Sequence, residues 1–189
     1  AQTFLGHARR WSAEALGRHH TRLENEHRRA LAADVTELGM IAIHLPFDQR
    51  WAPVTRRRVM ALQQQLANIL PLASAAANRL DLLRERSALS PELTALLDDI
   101  ADWLVREDSR LEQVMPLVRR CEAVAQDAEA RRDWTSLLTA SACIRIGEFL
   151  SALAASRRLA DRIGTGGRPT SRTVSAAAPF SLARDYGVA

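Results

Sequence analysis

Apolar residues recur along this chain every three or four positions, and no stretch alternates apolar with polar as a half-buried strand does, so the pattern predicts helices throughout. The first stripe reads Leu31, Val35, Leu38, Ala42, Leu45, the second half of a helix predicted from about Thr3 to His44. At about 1.5 Å per residue that helix is on the order of 60 Å long. Its middle, Arg18 to Arg29, offers only Leu23 to a core and is expected to be solvated. Pro46 stops the pattern, and a corner with two prolines, Phe47 and Trp51 follows.

A second helix is predicted from about Thr55 to Glu85. Leu62, Leu66, Ile69, Leu70, Ala73, Ala77 and Leu80 form its apolar face, with a kink at Pro71. Ser90-Pro91-Glu92 reads as a helix start: a capping serine, a proline in the first turn and an acid near the positive end of the dipole. That third helix, to about Arg106, turns Leu93, Leu96, Leu97, Ile100 and Leu104 inward. A fourth runs from about Ser109 to Ala130 and carries Pro116. The fifth, from about Asp133 to Ile163, is apolar on most sides through Trp134, Leu137, Leu138, Ala142, Ile144, Ile146, Phe149, Leu150 and Leu153. Such a helix belongs in the middle of a bundle. Gly164 closes it as a C-terminal cap. The expected fold is all-α, an antiparallel bundle of about five helices with a very long first helix.

The bundle domain is expected over residues 1–163 and a linker with the start of a following segment over 164–189. Gly164 to Pro179 reads GTGGRPTSRTVSAAAP, whose glycine, proline and serine content suits an extended tether, most of all from Thr165 to Ala178. Phe180 to Ala189, FSLARDYGVA, then reads as the opening of a new helix, as in a piece cut from a longer protein.

Composition sharpens this picture in two places. All basic side chains are arginine, and the excess of arginine over acids lies at the two ends. Residues 1–58 are net +4, residues 59–163 net −2 and the tail from Gly164 net +2. A pI near 10.3 therefore reflects basic ends, which suit membrane-adjacent segments, rather than a basic face for nucleic acid. Cys121 and Cys143 have no metal-ligand spacing and read as buried, unpaired thiols of a reducing compartment. The apolar-leaning run Leu66 to Ala77, broken by Asn68, Pro71 and Ser74, falls short of the roughly 18 to 20 residues that a membrane span needs, and the chain alone is expected to be soluble.

Candidate chemistry is sparse. His20, Glu24 and His27 share one helix face in a spacing that can hold zinc, but no fourth ligand can be located, and the face reads as solvated. GTGG at Gly164 lacks the lysine and the preceding strand of a phosphate loop and reads as linker. Arg145 and Glu148, three residues apart in the most apolar helix, read first as a structural ion pair. A sharper alternative makes Arg145 the receptor of a ligand carboxylate, with Trp134 or Phe149 stacking nearby. The tryptophans at 11, 51, 103 and 134 read as core or corner anchors. No catalytic set, metal or cofactor is implied.

Two fragments resemble a known family. ADVTELGMIAIHLPFD, Ala33 to Asp48, is similar to the end of the long first helix in the soluble region of the fusaric acid resistance family, bacterial inner-membrane proteins that include aromatic acid exporters. Arg184, Asp185, Tyr186, Gly187, Val188 and Ala189 resemble the phrase that opens the second membrane bundle of that family. The resemblance implies a soluble domain between two membrane bundles of one parent chain, in an efflux transporter driven by the proton gradient. It further implies an aromatic carboxylic acid as the substrate and a periplasmic membrane-fusion subunit as a partner. With an even number of membrane helices before it, the domain would lie in the cytoplasm. A homo-oligomer stays open. The alternatives are a stand-alone helical adaptor and a nucleic-acid-binding helical protein; no nucleic acid is expected as a partner.

Overall fold

A computed structural model of the chain describes residues 2–16, 29, 33, 36–37, 39–40, 53–106 and 110–166. Among these the secondary structure is helical: α1 (Gln2–Leu16), α2 (Pro53–Glu85), α3 (Pro91–Val105), a 3-10 turn (Leu111–Gln113), α4 (Val114–Glu129) and α5 (Trp134–Gly166). Contacts close a ring, α1 to α2 to α5 to α4 to α3 and back to α1, with α1 also touching α5. The core lies inside it. Leu66, Ile69, Leu80 and Leu83 of α2 meet Leu93, Leu96 and Ile100 of α3, Phe149, Leu150 and Leu153 of α5, and Trp11 of α1.

The all-α bundle expected from spacing is present, but the very long first helix is not seen. The described helix is Gln2–Leu16, and the stripe at Leu31, Val35, Leu38, Ala42 and Leu45 lies outside the described residues. Leu16 is buried, and its carbonyl accepts a hydrogen bond from Arg84 Nη2 at 2.8 Å, which anchors this end of α1 on α2. Arg29, Ala33, Thr36, Glu37, Gly39 and Met40 are individually helical.

Helix ends follow the chemistry of their sequences. Ser90 Oγ accepts from the Leu93 amide at 3.1 Å and caps α3. Asp133 caps α5: Oδ1 accepts from the Ser136 amide at 2.9 Å and Oδ2 from the Ser136 hydroxyl at 2.6 Å. Those two bonds, the hydroxyl first, hold the Asp133 carboxyl below the usual carboxylate range. Glu92, in the first turn of α3, is lowered likewise by its backbone amide and by Ser90. At the other ends arginine takes over. Arg9 Nε reaches Leu104 O at 2.9 Å and its Nη2 the Arg106 carbonyl, closing α3. Arg58 Nη1 reaches Arg162 O at 3.4 Å near the end of α5. Helix α2 ends differently, with Ser87 at φ 50° and the Ala88 amide bonded back to Leu83 O at 2.9 Å.

Two boundaries depart from expectation. The fourth helix opens with a 3-10 turn, so α4 starts at Val114. Gly164 does not close α5, which runs to Gly166; no described glycine takes the positive φ that such a cap requires. Within α2, by contrast, the helix continues through Pro71 without a break, as expected.

The largest revision concerns α5. Over Trp134–Ile163 it is long and apolar enough by composition to cross a membrane, whereas no such segment is expected from the sequence. It packs between α2 and α4 and its most apolar window is 56% buried, as for a bundle's core helix. Nor is it apolar-in on all sides. Trp134, Leu137 and Ile144 stay 44–59% exposed, because the neighbours cover only the sector carrying Ala142, Ile146, Phe149, Leu150 and Leu153.

Candidate ligand site

Helices α2 and α5 are antiparallel: Arg79 bonds to Ser141, and twenty-one residues earlier Arg58 bonds to the carbonyl of Arg162. Between them runs a groove of about 570 Å³. Small side chains at Ala75 and Ala152 leave the space, Pro71 and Leu72 give it an apolar wall, and Asn68 and Gln65 add amides. Two arginines also line it, Arg79 from α2 and Arg145 from α5.

Arg145 is half-buried, and its Nη1 lies 2.6 Å from Glu148 Oε2. The pair expected from the sequence is therefore formed, and it borders a space where a ligand has room. Arg79, also half-buried, donates Nε to Ser141 Oγ at 2.6 Å and Nη1 to the carbonyl of Ala75 at 2.7 Å. Sequence reasoning missed Arg79. Its neighbours in the sequence mark it only as the polar edge of an amphipathic helix, and the partner that orients it is 62 residues away.

The structure does not bring Arg145, Trp134 and Phe149 together. Trp134 is the first residue of α5 and 59% exposed. Eleven residues of helix separate it from Arg145, about 16 Å of axial rise. Phe149 is fully buried in the core and shows no face to the groove. The other tryptophans divide: Trp11 and Trp103 are buried, with Trp103 Nε1 donating to Arg110 O at 3.3 Å, and Trp51 lies outside the described residues. His20, Glu24 and His27 also lie outside them, and among the described residues no group of three or more His, Cys, Asp or Glu could hold a metal ion.

On its other flank α5 meets α4 along a second cavity of about 520 Å³. Both free cysteines border it, Cys121 from α4 and Cys143 from α5, and both are buried. Burial first, then the neighbouring Cys143 thiol, pushes Cys121 up to about 12, and burial pushes Cys143 up to about 11. Thiols held protonated in this way are poor nucleophiles and poor metal ligands. A Cβ on Gly147 would sit 3.8 Å from Cys121 Cβ, in ordinary contact, so the helix spacing here does not depend on the glycine.

The sequence profile described as the fusaric acid resistance protein family matches residues 1–189. No curated protein and no solved structure matches the chain.

Proposed function

The chain belongs to the fusaric acid resistance protein family, and on that premise we propose that it is the soluble domain of an inner-membrane efflux transporter, on the cytoplasmic side between two membrane bundles of its parent chain. Membership makes the protein membrane-associated and transport-related. The finer reading assigns aromatic carboxylic acids as the exported compounds, the proton gradient as the driving force and a periplasmic membrane-fusion subunit as the partner.

What supports a domain rather than a membrane segment is α5. Its apolar side chains Ile146, Phe149, Leu150 and Leu153 are fully buried inside the helical ring, as in the core helix of a soluble bundle. Two buried, unpaired cysteines favour the reducing side of the membrane. The match of Arg184 to Ala189 to the family phrase favours a second membrane bundle after the domain.

The parent gene gives the first test. On each side of this segment it is expected to encode several hydrophobic stretches of about 20 residues. Cells carrying the intact gene are then expected to grow at higher concentrations of an aromatic carboxylic acid than cells lacking it. A gene without those stretches, or equal tolerance across a panel of such acids, overturns the export reading and leaves a stand-alone adaptor.

A further inference from the structure

Arg79 is a half-buried cation that forms no ion pair among the described residues. Its two hydrogen-bond acceptors, the Ser141 hydroxyl and the Ala75 carbonyl, are neutral; they fix the guanidinium without cancelling its charge. A charge drawn partly out of water with no opposite charge beside it is unfavourable, and an anion that reaches it relieves the imbalance. Along the same groove Arg145 is already neutralised by Glu148 at 2.6 Å, so Arg79, Arg145 and Glu148 together leave one positive charge uncancelled.

We propose that the α2–α5 groove binds a small organic monoanion, with the carboxylate on Arg79 and Arg145 and an apolar body against Pro71, Leu72 and Ala152. Guanidinium forks match carboxylates in geometry as well as in charge, and a guanidinium pre-oriented by Ser141 and Ala75 loses little freedom on binding. A groove of about 570 Å³ is of the size that small-molecule sites have, and a single-ring acid fits it easily. Glu148 is the internal competitor: it occupies Arg145 when the site is empty and gives up part of that guanidinium to the incoming carboxylate. The carboxylate follows from the charges; only the choice of an aromatic body rests on the export reading.

Titration calorimetry of the 189-residue chain with sodium benzoate tests this. Saturable binding is expected, with no saturable binding of benzyl alcohol, which keeps the ring and lacks the charge. Arg79→Gln is expected to weaken benzoate by about tenfold or more, and Arg145→Gln by less, because Glu148 already offsets that charge. Glu148→Gln is expected to tighten benzoate by about threefold, a gain that a merely structural role for these residues does not produce. If Arg79→Gln fails to fold, Arg79→Lys keeps the charge and loses the fork, and is expected to bind more weakly than the unaltered chain.

Absence of benzoate binding, an unchanged affinity in a folded Arg79 variant, or no gain in Glu148→Gln overturns the site. Inorganic phosphate binding as tightly as benzoate overturns the apolar half of the proposal. Binding in the calorimeter with unchanged tolerance in cells would leave this site standing and remove the export reading. Altered tolerance without binding would do the reverse.

Discussion

Arg84, near the end of α2, donates Nη2 to the carbonyl oxygen of Leu16 in α1 at 2.8 Å, a bond that spans 68 residues of chain. The same guanidinium uses Nη1 on Asp81 Oδ1 at 3.0 Å, which holds the fork in place. Arg9 to Leu104 and Arg58 to Arg162 repeat the device on α3 and α5. A helix dipole is negative at its C-terminal end, and at Leu104, one residue before the end of α3, the carbonyl also lacks an intrahelical donor, so a cation from a neighbouring helix is favoured there. These bonds tie helices to one another.

Arg84→Ala is therefore expected to destabilise the chain by about 1.5–3 kcal/mol, the range for a hydrogen bond to a charged group. Arg84→Lys is expected to recover only part of that, since Leu16 and Asp81 are reached by two different nitrogens of one planar group. Urea unfolding of the three chains measures it, through midpoints that shift at unchanged slope. Full rescue by lysine would reduce the contact to simple charge.

The two aromatic residues offered as ring partners for Arg145 are expected to separate in an alanine scan. Phe149, fully buried, is expected to cost about 3–5 kcal/mol on truncation to alanine. Trp134, 59% exposed at the start of α5, is expected to cost about 0.5 kcal/mol or less. Thermal or urea melts of the two variants decide this. A large loss at Trp134 would mean that its indole is covered by something outside the described residues.

These two residues also mark how far the sequence reaches. The four helices from Pro53 to Gly166 were legible, because spacing of three and four reports which side chains can share a face, and the cap at Ser90-Pro91-Glu92 is local chemistry, whereas α1 was read only as part of a much longer helix that is not seen. Burial in α5 was legible only in part. Apolar character says that Trp134, Leu137 and Ile144 could be buried, whereas which sector of the helix meets a neighbour depends on where α2 and α4 lie. The pair of Arg145 and Glu148 was readable from a separation of three, while Arg79 joins the same groove through a partner 62 residues away. No local pattern encodes that distance.

The thiols predict an alkaline weakness. Unfolded, each cysteine ionises near its ordinary value of 9.0; folded, Cys121 does so near about 12 and Cys143 near about 11. Above pH 9 the unfolded chain releases protons that the folded chain still binds, so stability falls as pH rises from there towards 11 and 12. Below pH 9 this contribution is complete. Chevron or melting data from pH 7 to 11 measure it, and replacing both cysteines by alanine is expected to shallow the decline. In parallel, a disulfide reagent at pH 8 is expected to label either thiol only as fast as the fold opens. Labelling within seconds without denaturant would show that the cavity beside α4 admits reagent freely.

Arginine keeps its charge at any pH at which a protein can be handled, and the chain contains no lysine. The carboxylates at the opposite ends of the helices are not so constant: Asp133 and Glu92 help only while ionised, and their contribution is lost as pH falls through their lowered values. The helices are thus fastened with one titrating end and one permanent end. Acid therefore weakens α3 and α5 at their first turns, while the arginine contacts at Leu104 and Arg162 keep their charge, so the two ends of each helix respond differently to pH.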